Sequence, residues 1–75
     1  MVSHHIPIIW SIYPPVCLER AISDYQHVCE IEKTDVTSHG CFVTIRVRDG
    51  RDEQIVQNEF LNYLLEISLE FQLQR

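Results

Sequence analysis

The sequence predicts a small α+β domain of order β-α-β-β-α, with a three-stranded sheet in the order 1-3-2 and two helices on one face. Three observations predict it. Residues 6–13 are β-branched and aromatic with a period of two, residues 41–48 alternate in the same way, and residues 55–73 carry apolar side chains at helical spacing. With 75 residues, one domain spanning 1–75 is expected, near the lower size limit for a core without staples.

In the first strand Ile6, Ile8, Trp10 and Ile12 share a face. Pro7 cannot donate to a ladder and favours an edge. Pro14 and Pro15 end the strand, and proline suits the first turn of the helix that follows. There Leu18, Ala21, Ile22 and Tyr25 follow the i, i+3, i+4, i+7 pattern, and the helix runs out near His27. Cys29, Ile31 and Lys33 alternate with Glu30, Glu32 and Thr34 as a second strand. A turn with its tip at Ser38, His39 and Gly40 leads into the third, where Cys41, Val43, Ile45 and Val47 face one way. Asp49 or Asp52 can cap the last helix.

A crossover helix places the first strand beside the third, which gives a ferredoxin-like arrangement without its fourth strand. The outer edge of the first strand is then open. An extended peptide or a partner's strand could add there, along Ile6, Ile8, Ile9, Trp10, Ile12 and Tyr13, with main-chain bonds giving affinity. Alternatively Pro7 and the residues before it blunt that edge.

The last helix is apolar on too many faces to cover one small sheet. Val56, Phe60, Tyr63, Leu64 and Ile67 form a stripe suited to the core; Leu61, Leu65, Leu69 and Leu73 form a second. From Asp52 to Arg75 the helix would be about 36 Å long, more than three strands can shade. The second stripe is expected to meet a partner helix, in another protein or a second copy. Asn62, polar within this helix, is expected to find a capping or inter-element partner.

The composition, 45% apolar and 23% charged, is that of a globular protein. A net charge of −5 speaks against nucleic-acid binding. Arg46, Arg48 and Arg51 are interleaved with Asp49, Asp52 and Glu53, as in a solvated strand end. Cys17, Cys29 and Cys41 are odd in number and make no C-x-x-C pair. No signal-like start and no run of about 18 apolar residues occur, so a cytoplasmic protein with reduced thiols and no membrane contact is expected. A metal site would have to be assembled from Cys29, Cys41, His27 and His39 across a hairpin, without zinc-type spacing, and no cofactor is expected. No Gly-flanked Ser, Cys with an obvious base or Gly-rich phosphate loop points to catalysis. Glu30 and Glu32 share a strand face, most simply the wet one. A binding protein is expected rather than an enzyme.

Two segments carry a family resemblance. Ile12-Tyr13-Pro14 leading into Leu18-Glu19-Arg20-Ala21-Ile22-Ser23-Asp24-Tyr25 resembles the opening of the HxsD-like proteins of His-Xaa-Ser peptide systems. Glu59-Phe60-Leu61-Asn62-Tyr63-Leu64-Leu65-Glu66 resembles a Glu-Phe-Leu-Asn-x-Leu-Leu-Asp block of the same family. The resemblance spans about residues 8–69. It implies a non-catalytic accessory subunit that binds a radical S-adenosylmethionine maturase, its ribosomal precursor peptide, or both. No C-x-x-x-C-x-x-C motif is present, so the radical chemistry would belong to the partner. After Leu65 the chain departs from the family, which continues with an acidic-Gln and Leu-Arg stretch and a further apolar helix. If that helix docks on the second stripe in relatives, here the stripe is left for another protein. The alternative from a different class is a homodimeric scaffolding or ligand-sensing domain, and a third is a small enzyme using Cys29 or Cys41.

Overall fold

A computed structural model of the chain describes residues 5–48 and 50–74. The element order is β1 (His5–Ile9), α1 (Pro15–Tyr25), β2 (Cys29–Thr34), β3 (Gly40–Val47) and α2 (Glu53–Leu73). The strands are antiparallel in the order β1-β3-β2. This is the expected ferredoxin-like arrangement without a fourth strand.

Pairing register explains where the core lies. Ile8 stands opposite Cys41 and Ile6 opposite Val43, while Ile31 and Cys29 stand opposite Ile45 and Val47. Side chains alternate along a strand, so these residues share one face. Both helices close on it. Cys17, Leu18 and Ala21 of α1 and Phe60, Leu64 and Ile67 of α2 join Ile8, Cys41 and Val43 in one cluster. Phe60, Leu64, Leu18, Val43 and Ile8 are fully buried, each contributing about 1.5–3 kcal/mol by transfer from water.

Local chemistry sets the helix ends. Pro14 precedes α1, and its carbonyl accepts from the amides of Cys17 and Leu18 at 2.9 and 3.1 Å. The Asp52 carboxylate accepts from the Ile55 amide at 3.1 Å and caps α2; Asp49, the other expected cap, lies outside the described residues. Tyr25 packs edge-on against Phe60 with ring centroids 5.5 Å apart. Its hydroxyl donates to the Glu59 carbonyl at 3.3 Å, and the Tyr63 hydroxyl donates to Asp24, so polar contacts also join α1 to α2.

The first strand is shorter than its alternation predicts. β1 stops at Ile9, because β3 begins at Gly40 and Gly40 is the residue opposite Ile9. One further bond, from the Trp10 amide to the His39 carbonyl at 3.0 Å, ends the ladder. Residues 10–13 turn instead, with the Ile12 and Tyr13 amides both donating to the Ile9 carbonyl at 3.0 and 2.9 Å. The Trp10 indole donates to the Thr37 carbonyl at 2.9 Å, and Ile12 is exposed. The period of two through Trp10 and Ile12 is therefore not a strand face.

The β2–β3 connection is organised by Thr37. Its Oγ1 accepts from the amides of His39 and Gly40 at 3.1 and 3.2 Å, and its own amide donates to the Gly40 carbonyl at 2.8 Å. Gly40, expected in the turn tip, is instead the first residue of β3. A Cβ there would lie 2.1 Å from the Ile8 carbonyl oxygen, so glycine lets β1 and β3 approach.

Candidate docking surfaces

The β1 edge is open but short. In an antiparallel ladder alternate residues turn N–H and C=O toward the partner. With the Trp10 amide bonded to His39, the same parity turns Ile8 and Ile6 toward β3, and His5, Pro7 and Ile9 outward. Pro7 has no N–H, and the Ile9 carbonyl is already taken by the turn. The outward edge is thus left with two donors and two acceptors, on His5, Pro7 and Ile9. Of the residues expected to line a strand-docking site, Ile8 is 1% exposed and belongs to the core. Ile6, Trp10 and Tyr13 are partly buried against that core. Ile12 and Tyr13 are not in the strand at all. Of the residues expected to line that site, only Ile9 presents an exposed apolar side chain from the strand itself, beside the exposed Pro7.

The outer face of α2 is longer. The inner stripe is as expected: Val56, Phe60, Leu64 and Ile67 are buried, and Tyr63 packs against the core. On the second stripe Leu65, Leu69 and Leu73 are 39%, 52% and 84% exposed. Leu61 is a correction, since it is half-buried and packs on the core. Ile55, which sequence patterning did not assign to the stripe, is 58% exposed; at 100° per residue it lies in line with Leu73, five turns on. Asn62 is exposed on the same side, and among the described residues its side chain has no hydrogen-bond partner. The inter-element partner expected for it is therefore not found.

Other candidate groups are dispersed. Cys29 stands opposite Val47 and Cys41 beside Val43 on the same strand, which sets the two about six residues, or roughly 20 Å, apart along β3. His27 and His39 are exposed. Among the described residues no three His, Cys, Asp or Glu side chains converge. Burial pushes the Cys29 thiol up despite the Arg48 charge, and burial pushes the Cys41 thiol up despite Lys33, so both are neutral thiols near neutral pH. Glu30 bridges Arg46 and Arg48 at 4.0 and 3.5 Å on the solvent side of the sheet, as a wet strand end does.

Three features went unanticipated. β2 is also an edge strand, signalled by the same 1-3-2 order, and its Glu30, Glu32 and Lys33 are of the kind that guards an edge. Phe42, exposed on the face away from the helices between Pro7 and Thr34, makes part of that face apolar. Ser68 is fully buried with its hydroxyl unpartnered, and no spacing signal distinguishes it from a surface serine. Among the described residues no helix is long and apolar enough to cross a membrane. Comparison of the chain with family models, with curated proteins and with solved structures finds no match in any of the three.

Proposed function

We propose that this chain is a non-catalytic accessory protein whose task is to hold another polypeptide, with α2 as its main docking element. The observation that carries this is the bare apolar row Ile55, Leu65, Leu69 and Leu73 on a helix whose opposite face already completes the core. Isolated apolar residues on a surface need no explanation, but a row along one helix marks an interaction site. The β1 edge would serve as a secondary contact, taking at most a short extended segment.

The resemblance of residues 8–69 to HxsD-like proteins suggests the setting. In that setting the partner is a radical S-adenosylmethionine maturase, a ribosomal precursor peptide, or both, and the partner performs the chemistry. The test is affinity purification of the tagged full chain from its native lysate. Stoichiometric recovery of an iron–sulfur radical enzyme, lost on Leu65→Glu while the variant stays folded, is the expected result. Recovery of the chain alone as a dimer would overturn it and favour a homodimeric scaffolding or ligand-sensing domain.

A further inference from the structure

The bare row of α2 is acidic at its margin. From Asp52 to Gln74 the chain holds Glu53, Glu59, Glu66 and Glu70 and neither Lys nor Arg. Among the described residues none of these glutamates joins an ion pair. Ile55, Asn62 and Leu69 recur every seven residues, and Asn58, Leu65 and Gln72 recur at the same interval between them. That is the two-position spacing by which one helix packs along another, here a seam with Ile55, Leu65 and Leu69 apolar and Asn58, Asn62 and Gln72 polar. Asn58 accepts from the Gln54 amide and Gln72 donates to the Ile12 carbonyl, both at 3.2 Å. At 100° per residue Glu59 and Glu66 lie directly beside this seam, with Glu70 next to them, all on one flank. The other flank carries Gln54, the half-buried Leu61 and the buried Ser68.

A second copy of the chain would meet this seam poorly. Packed parallel, Glu59 and Glu66 would face Gln54, Leu61 and Ser68, which offer no positive charge. Packed antiparallel, the glutamates would face one another. We infer that the outer seam of α2 receives a cationic amphipathic helix of a partner protein, with an apolar row against Ile55, Leu65 and Leu69 and Lys or Arg beside it to pair with Glu59, Glu66 and Glu70. Asn62, at the centre, would be left unsatisfied under a wholly apolar row, so the partner row carries an amide or hydroxyl opposite it. This deepens the assignment of α2 as the docking face and rests on it.

The test titrates the full-length chain with two dye-labelled synthetic helical peptides. Both carry the same leucine row with one central Asn; one has Lys on its flanks and the other Glu. The Lys-flanked peptide should bind about tenfold or more tighter, as three exposed ion pairs allow, and should weaken with added salt. Leu65→Ser with Leu69→Ser should weaken it at least about tenfold. Glu59→Lys with Glu66→Lys and Glu70→Lys should reverse the order of the two peptides. Equal affinity for both peptides, still dependent on Leu65 and Leu69, would overturn the cationic partner and leave α2 as the docking face. Lys-peptide binding indifferent to the leucine substitutions would also overturn it, as would a dimer that must dissociate before the peptide binds. Binding of neither peptide would overturn both.

Discussion

The two faces of α2 are built from similar residues and have opposite fates. Phe60 and Leu64 are fully buried, whereas Leu69 and Leu73, about one and a half and two and a half turns past Leu64, lie mostly in solvent. The sheet explains the difference. Three strands of five to eight residues give α2 a single face to cover, and α1 closes its flank through Tyr25 and Asp24. The 21 residues of α2 extend for about 31 Å with nothing on the far side. Hydrophobicity alone therefore does not tell core from exposed surface; position about the helix axis and along it does, since Phe71, within about 20° of Phe60 and Leu64 about the axis, is 51% exposed.

The sharpest way to break this contrast is to cut into the inner face. Phe60→Ala should cost about 3–5 kcal/mol, enough to unfold much of a domain this small, as a urea titration would show. Gly40→Ala tests the other wall of the core. Its Cβ would press on the Ile8 carbonyl at 2.1 Å, so β1 must shift, and a loss of about 1–3 kcal/mol is expected, with hydrogen exchange quickening first in β1. Asp52→Ala removes the α2 cap and should cost about 1 kcal/mol. Ser in place of Leu69 should change stability by no more than about 0.5 kcal/mol.

Alkaline pH should probe the inner side alone. Burial raises Cys29, Cys41 and Tyr25 in the folded chain. A group raised on folding stabilises below its unfolded value and loses that contribution as pH rises through its folded value. Stability should thus decline from about pH 9 upward, with the outer-face variants following the same curve as the parent. A divergence between them would show that the outer row senses the core.

Much of this was legible in advance. The element order and the inner stripe of α2 follow from periodicities of two and 3.6, which burial enforces, and the sheet order follows from the helical crossover. The end of β1 was not legible, because Trp10 and Ile12 continue the alternation while the ladder stops where β3 begins at Gly40. Ile8 shows the same limit at the site: an open edge exposes a backbone, yet its side chain packs in the core. Cys17 and Ser68 were missed because small side chains carry little amphipathic signal, although both sit where α2 packs, Cys17 with its thiol 3.8 Å from the Ile67 carbonyl. Leu61 looked equivalent to Leu65 by spacing, yet at 100° per residue it lies about 40° nearer the buried Leu64 and Ser68.

The central claim is that the outer row of α2 serves binding and not folding. The most direct measurement is urea unfolding of the triple variant Leu65→Glu, Leu69→Glu, Leu73→Glu beside the parent, followed by circular dichroism. The predicted result is the same cooperative transition, with a midpoint shifted by no more than three surface substitutions allow, about 1.5 kcal/mol in all. A collapse of the transition, or a loss approaching that of Phe60→Ala, would contradict it and place the row in the core.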